Sequence, residues 1–251
     1  MAERHAVVIV GAGPTGLTLA NLLGDEGVDV LLVERNETTV NEPRGVSIDD
    51  EALRTMQAIG LADEVLKHVV PGYGSHYYSA AGNCFAIVEP TQSPYGYPRR
   101  NAFRQPILER QLREGLSRFP SVTARFGWQM QSFEAGADKV SVKIAGPGNQ
   151  TTEIDCDFLV GCDGAWSSVR TALGVELKGS TFAERWLIVD LENSHNVVRH
   201  TKVFCSPARA CITLPGPDNT RRYEFKLHPH EKDEDLLEPA VVERQIGRAH
   251  V

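Results

Sequence analysis

Hydrophobic positions at the start of the chain follow the order strand, helix, strand. Ala6–Val10 is a continuous apolar run, typical of a strand that is buried on both faces. Gly11 ends this run, and Pro14 suits the first turn of a helix. That helix is predicted to close at Gly27, before a second buried strand at Val28–Val33. The pattern therefore predicts a βαβ unit of about thirty residues.

Two later segments have a different pattern. In residues 73–98, aromatic residues, glycine and proline alternate with short apolar stretches, and strand-like alternation returns from residue 179. Both patterns indicate antiparallel sheet. Gln105–Phe119 reads as a helix with one apolar face, and Phe158–Gly161 reads as a short buried strand.

These elements predict an α/β fold, in which a Rossmann-like nucleotide-binding domain is interrupted by an antiparallel β-sheet domain. Residues 1–72 and 99–178 are assigned to the first domain, and residues 73–98 and 179–245 to the second. The last six residues, 246–251, add neither periodicity nor a helix cap, and a common sequencing adapter encodes the same six residues. We therefore interpret them as a non-native tail.

Composition and charge narrow the class of protein. Of 251 residues, 41% are hydrophobic, and 26 basic residues face 33 acidic ones, which gives a net charge of −7. An acidic chain without a basic block argues against nucleic acid or a membrane as partner. The five cysteines include no C-x-x-C pair, as expected for a reducing compartment. We expect a cytoplasmic protein without a resident metal.

A glycine motif follows the first strand. Gly11, Gly13 and Gly16 form G-x-G-x-x-G between a buried strand and a helix, and Glu34 follows 18 residues later at the end of the second strand. This context is that of a dinucleotide-binding turn, in which the helix N-terminus faces a pyrophosphate and the acid faces a ribose. A tight turn without a ligand is the alternative.

Two further groups of residues lie near the ends of predicted strands. Arg44, between Pro43 and Gly45, presents a fork suited to phosphate or to a flavin carbonyl, although alone it reads as a surface cation. Asp163 and Gly164 follow the strand FLVGC and precede a helix capped by serine. They form either a second polar crevice or only a turn and a capped helix.

Together these motifs resemble the single-component, FAD-dependent aromatic hydroxylases with the p-hydroxybenzoate hydroxylase fold. The motifs are GAGPTG with VER at 33–35, PRG at 43–45 and D-G-x-x-S-x-x-R at 163–170. IDDEALRTMQAIGL, YPRRNAF and WLIVDLEN are similar to the branch that hydroxylates 3-(3-hydroxyphenyl)propionate. The resemblance covers residues 6 to about 245.

The resemblance implies FAD as the cofactor. The residues that it assigns to FAD are Gly11, Gly13, Gly16, Glu34, Arg35, Arg44, Gln105, Asp163 and Gly164. Trp166 departs from the family pattern, which has a basic or small residue there, and this departure puts the part of that loop in nicotinamide docking in doubt. The family's third motif, a Gly-Asp turn, is expected beyond residue 251.

The implied activity is hydroxylation of a phenolic acid ortho to its hydroxyl group, with NAD(P)H and O₂ as co-substrates. The expected partners are a small aromatic substrate and a second copy of the chain in a homodimer. The alternatives are a polyketide hydroxylase or flavin reductase on the same frame, and a non-catalytic nucleotide-binding fragment. The sequence identifies no catalytic residue. Arg99–Arg100 and Arg221–Arg222 read as solvated pairs, although an aromatic acid needs one cation, and His228 and His230 lack a third metal ligand.

Overall fold

The computed structural model describes residues 3–248, which divide into two compact units. Within this range, the first unit comprises residues up to 44, 55–66 and 105–179, and the second comprises 45–54, 67–104 and the residues from 180 onward. The helix α2 (Asp50–Ala58) has residues in both units. No helix in the described range is both long and apolar enough to cross a bilayer.

The first unit has an α/β architecture built on one six-stranded sheet. Its elements are β1 (Glu3–Val10), α1 (Pro14–Asp25), β2 (Val30–Glu34), α3 (Ala62–Leu66), α4 (Gln105–Gly115), β8 (Val122–Phe126), β9 (Gln129–Ala135), β10 (Val140–Ala145), β11 (Thr151–Gly161) and α5 (Ser168–Ala172).

The sheet of the first unit has the order β8-β2-β1-β11-β10-β9. β8, β2, β1 and β11 pair in parallel, whereas β10 and β9 add antiparallel strands at one edge. Parallel strands are normally covered on both faces, and the central β1 and β2 are accordingly almost wholly buried: Val8, Ile9, Leu31 and Leu32 are 0% exposed.

The second unit is built mainly from antiparallel strands. Its elements are β3 (Ser47–Ile48), β4 (Val69–Val70), β5 (Ser75–Ser79), β6 (Cys84–Val88), β7 (Asn101–Phe103), β12 (Trp186–Leu191), β13 (Thr201–Cys205), β14 (Cys211–Pro215), β15 (Arg221–Lys226), α6 (Asp233–Leu236) and α7 (Pro239–Arg248). The large sheet has the order β12-β15-β14-β13-β5-β6, and β3-β7-β4 form a small one.

The predicted α/β class with a Rossmann-like βαβ unit is confirmed, and three details differ. Within the second sheet, β5 and β13 pair in parallel rather than antiparallel. The strand expected at Phe158–Gly161 is the end of the eleven-residue β11. Phe158 itself is 67% exposed instead of buried.

The C-terminal region contains a short helix and a longer one. The acidic stretch forms α6, and α7 continues through Arg248. Ile246 packs against a core cluster formed by Cys211, Tyr223 and Phe225. The interpretation of residues 246–251 as a non-native tail stays a prediction, and residues 249–251 lie outside the described range.

Candidate functional site

The glycine turn of the first unit is shaped by close backbone contacts. Gly11 has a φ of +102°, and a Cβ built there would lie 2.5 Å from the carbonyl oxygen of Cys162. A Cβ on Gly16 would lie 1.9 Å from the carbonyl oxygen of Gly11. Only glycine fits these two positions, since a side chain meets backbone atoms that cannot move aside. Gly13 differs, because a Cβ on this residue would meet nothing within 4 Å.

The N-terminus of α1 is open to an anion. Gly13 is the N-cap residue, it provides no side-chain cap, and Pro14 occupies the first turn. The first N–H groups of a helix have no partner within the helix and carry partial positive charge. A phosphate placed beside Gly13 would therefore meet unpaired donors, as in dinucleotide-binding turns.

Glu34 connects the end of β2 to the glycine turn. Its Oε2 accepts the Ala12 N–H at 2.8 Å, and its Oε1 accepts the Asn36 N–H at 2.9 Å and the Asn36 side-chain amide at 2.7 Å. A carboxylate offers about four acceptor positions. Three of these acceptor positions are occupied in Glu34, and the remaining one suits a hydroxyl group of a ribose.

Asp163 follows β11 and accepts hydrogen bonds from residues at the start of α5. Its Oδ1 accepts the Ser167 hydroxyl at 2.5 Å, and its Oδ2 accepts the Ser168 N–H at 2.6 Å and the Val169 N–H at 3.2 Å. Burial alone would raise the pKa of Asp163, but the hydrogen bonds from Ser167 and Ser168 outweigh burial and lower it. Asp163 thus anchors the start of α5 as a carboxylate, and Gly164 has a φ of +78°.

A pocket of about 400 Å³ lies between these features, within the size range of small-molecule sites. Eight of the nine residues predicted for the cofactor line it: Gly11, Gly13, Glu34, Arg35, Arg44, Gln105, Asp163 and Gly164. The ninth, Gly16, is buried against Gly11 and Cys162. The fold therefore brings together residues that are up to 153 positions apart in the sequence.

Sequence reasoning missed other residues of this pocket. Trp128, Asn36 and Glu109 line it. Trp166, which the sequence analysis singled out, lines it too and is 91% exposed. Glu109 is 1% exposed. Its position four residues after Gln105 was the available signal, since residues i and i+4 share one face of a helix.

The arginine pair of β15 is not solvated as expected. Arg221 is 1% exposed and Arg222 is 4% exposed. Arg221 donates to the Thr213 hydroxyl at 2.8 Å and to the Val198 carbonyl at 2.7 Å. These partners come from other parts of the chain, which explains why the local sequence did not reveal the burial.

The surroundings of the arginine pair at 99–100 and of the two histidines at 228 and 230 differ from those of the β15 arginines. Arg100 lies over the Tyr73 ring, with its Cζ 4.4 Å from the ring centroid, whereas Arg99 is exposed. His228 and His230 stack with ring centroids 5.6 Å apart. Among the described residues, no group of three or more His, Cys, Asp or Glu side chains could hold a metal ion.

Comparisons with known proteins match nearly the whole chain. The family model described as "FAD binding domain" matches residues 4–249. The chain is 43% identical over 241 residues to a 3-(3-hydroxy-phenyl)propionate/3-hydroxycinnamic acid hydroxylase of Mycobacterium sp. (strain JLS), covering 96% of this chain and 42% of the relative. It is 40% identical over 249 residues to the protein of the same name in Escherichia coli O81 (strain ED1a), covering 98% and 45%. The chain thus spans less than half the length of these curated relatives.

Solved structures show the same fold. The p-nitrophenol 4-monooxygenase PnpA from Pseudomonas putida DLL-E4 superposes with a TM-score of 0.85 at 22% identity, covering 98% of this chain and 62% of that one. The flavin-dependent monooxygenase PieE, solved with FAD and substrate, gives 0.84 at 25% identity, covering 97% and 46%. Because the family model matches residues 4–249, the chain belongs to the FAD-binding-domain family, whose cofactor is FAD.

Proposed function

We propose that the pocket of the first unit holds FAD through the residues named above. Glu34 takes the adenosine ribose, and the α1 N-terminus beside Gly11 and Gly13 takes the pyrophosphate. Gly16 permits the close packing of helix and strand. Unpaired helix donors and an acid at the end of β2 support this placement.

The remaining residues are assigned to the pyrophosphate and the flavin side. Arg35 and Arg44 supply positive charge beside the pyrophosphate, and Gln105, Asp163 and Gly164 take the flavin side. All five line the same pocket, which is the observation that supports the assignment.

We further propose that the protein is part of an FAD-dependent hydroxylase of phenolic aromatic acids resembling 3-(3-hydroxyphenyl)propionate. The names of relatives at 40–43% identity support this substrate class. The proposed reaction introduces a hydroxyl group ortho to the existing one, with NAD(P)H as reductant and O₂ as oxidant. FAD supplies the redox chemistry when it is bound, and the protein orients the ring and excludes water.

We also propose roles for the two domains, an oligomeric state and a cellular location. Residues 1–72 and 99–178 are proposed to bind FAD, residues 73–98 and 179–245 to contribute to substrate binding, and a homodimer is the proposed assembly. The mainly antiparallel sheet of the second unit supports this division. The protein is proposed to act in the cytoplasm.

The observation that carries the proposal is the convergence of the glycine turn, Glu34 and Asp163 on one pocket. The test is equilibrium dialysis of the purified chain with FAD, followed by a visible absorption spectrum. We expect a yellow protein whose flavin bands remain after unbound FAD has been removed. A folded protein that stays colourless with excess FAD would contradict the assignment.

Activity is tested by NADH and NADPH oxidation in the presence of O₂ and 3-(3-hydroxyphenyl)propionate. A hydroxylase consumes O₂ and forms a catechol when the phenolic acid is present. A flavin reductase oxidises NAD(P)H without needing O₂ and leaves the phenol unchanged. A polyketide hydroxylase accepts a multi-ring phenol in preference to the phenylpropionate.

A further inference from the structure

A buried carboxylate joins two parts of the FAD pocket that are distant in sequence. Glu109, on α4, accepts the Gln105 side-chain amide on Oε1 at 2.7 Å. Its Oε2 accepts the backbone N–H of Val40 at 3.3 Å. Gln105 opens α4, whereas Val40 belongs to segment 35–44, which begins with Arg35 and ends with Arg44. One side chain therefore holds two pocket walls together.

The two contacts suit a carboxylate in its ionised form. Both partners of Glu109 are N–H donors, and an ionised carboxylate accepts on both oxygens. A protonated acid or a glutamine keeps one acceptor oxygen and turns a donor toward the second partner. Either change turns a donor toward one of two partly buried N–H groups, which costs free energy unless the Gln105 amide rotates to present its oxygen.

Burial and neighbouring groups of the pocket influence the pKa of Glu109. Burial raises the pKa of Glu109, and the bonds from Gln105 and Val40 oppose this effect. The charged groups that face it from other elements are Glu34 of β2, which raises the pKa, and Arg44, which lowers it.

We propose that Glu109 is a positioning residue of the FAD site, whose ionised carboxylate holds Gln105 and segment 35–44 in the arrangement that binds the cofactor. Protonation of Glu109 releases one of these two contacts and weakens FAD binding. The inference rests on the proposed FAD site and adds a residue to which neither the motifs nor the comparisons assign a role.

The test compares Glu109→Gln with the matched variant Glu114→Gln. Glu114 lies on the same helix, is exposed and does not line the FAD pocket. FAD binding is measured by quenching of flavin fluorescence from pH 8 to pH 5, and circular dichroism without FAD verifies that each variant is folded. At pH 8 we expect Glu109→Gln to weaken FAD binding about tenfold, the cost of one hydrogen bond to a charged group. Glu114→Gln should match the unmodified chain.

The pH profile separates a positioning role from a loss of structure. Because binding requires ionised Glu109, affinity of the unmodified chain should fall as the pH decreases, while Glu109→Gln already mimics the protonated acid. The ratio of the two dissociation constants should therefore shrink from about ten toward one.

Four results would overturn the proposal. Equal or tighter FAD binding by folded Glu109→Gln at pH 8 refutes the positioning role and leaves the FAD site intact. A ratio that stays constant with pH refutes the role of ionisation. If the unmodified chain does not bind FAD, the proposed function fails first and the inference falls with it. Should Glu109→Gln not fold, the pH dependence of the unmodified chain decides, since an FAD affinity that does not change from pH 8 to pH 5 refutes the proposal.

Discussion

Arg222 on β15 lies directly opposite Asp190 on β12 and donates to both of its carboxylate oxygens. The distances are 2.8 Å from Nε to Oδ1 and 2.7 Å from Nη2 to Oδ2. The side chain of Arg222 is 4% exposed, and that of Asp190 is 32% exposed. A buried guanidinium is tolerated in a sheet when a carboxylate matches its planar fork in this way.

Removing the acid from this pair should destabilise the second unit. We expect Asp190→Ala to lower the free energy of unfolding by about 2 kcal/mol, because a buried charge loses its main partner. The expectation is below the full cost of a buried pair, since Asp190 is partly exposed and Glu224 lies 4.0 Å from Arg222. Urea unfolding followed by far-ultraviolet circular dichroism measures the change.

The control for this experiment is Glu192→Ala, in which an exposed ion pair with Arg104 is lost. Exposed pairs contribute about 0–1 kcal/mol. A change for Asp190→Ala no larger than that for Glu192→Ala would contradict the importance of the buried fork.

Substitutions of two glycines in the glycine turn should have different effects, one on folding and the other on FAD binding. Gly16→Ala should prevent correct folding of the βαβ unit, because its Cβ would overlap the Gly11 carbonyl oxygen. Gly13→Ala should fold with a melting temperature within a few degrees of the unmodified chain, since its Cβ meets no protein atom within 4 Å. It should nevertheless weaken FAD binding, because the methyl group occupies space that the pyrophosphate needs.

Thermal denaturation without FAD and fluorescence titration with FAD distinguish the two variants. Normal FAD affinity in Gly13→Ala would show that no ligand approaches the backbone at this position. A fully stable Gly16→Ala would contradict the close helix–strand packing.

The contacts of Glu231 should make the free energy of unfolding depend on pH. Its carboxylate accepts from both Nη atoms of Arg209 and from the His228 N–H at 2.7 Å. The hydrogen bonds from Arg209 are the main cause that lowers the pKa of Glu231 to about 2. A lowered pKa contributes stability above the unfolded value of 4.5, and this contribution is lost as the pH falls toward about 2.

Glu231→Gln should therefore be less stable than the unmodified chain at pH 7. The difference should shrink below pH 4.5 and vanish only below about pH 2, where the native carboxylate is protonated as well. Unfolding free energies at several pH values measure it, and Glu238→Gln on the surface serves as control. A difference that is independent of pH would exclude the ionised pair as its source.

Asp163 should stabilise the start of α5. Asp163→Asn places an amide donor among N–H and hydroxyl donors, and we expect a loss of about 1 kcal/mol, as for a lost helix cap. This corresponds to about 2–4 °C in a chain of this size, measured by thermal denaturation. Asp157→Asn, which removes an exposed contact with Arg4, should change the melting temperature less. Equal shifts for the two variants would argue against the anchoring role.

The features that sequence reasoning found are those set by local geometry. Gly11 and Gly16 are required by one tight turn, and Ser167 caps α5 by accepting the Arg170 N–H, as its position before the helix predicted. Glu34 was found because the spacing of a βαβ unit is nearly fixed.

The features that were missed depend on partners elsewhere in the chain. Glu109 looks like an exposed helical acid until α4 is packed beside segment 35–44. Arg221 and Arg222 look solvated because the atoms that satisfy them belong to other segments. Phe158 was expected inside because parallel strands are usually covered, and this expectation fails at the end of β11.

The hydrogen bonds from Ala12 and Asn36 to Glu34 form within the protein itself. At the proposed FAD site these hydrogen bonds fix the orientation of the Glu34 carboxylate, so that less conformational entropy is lost on binding. We therefore expect substitutions around Glu34 to change mainly the dissociation rate of the ligand rather than its association rate.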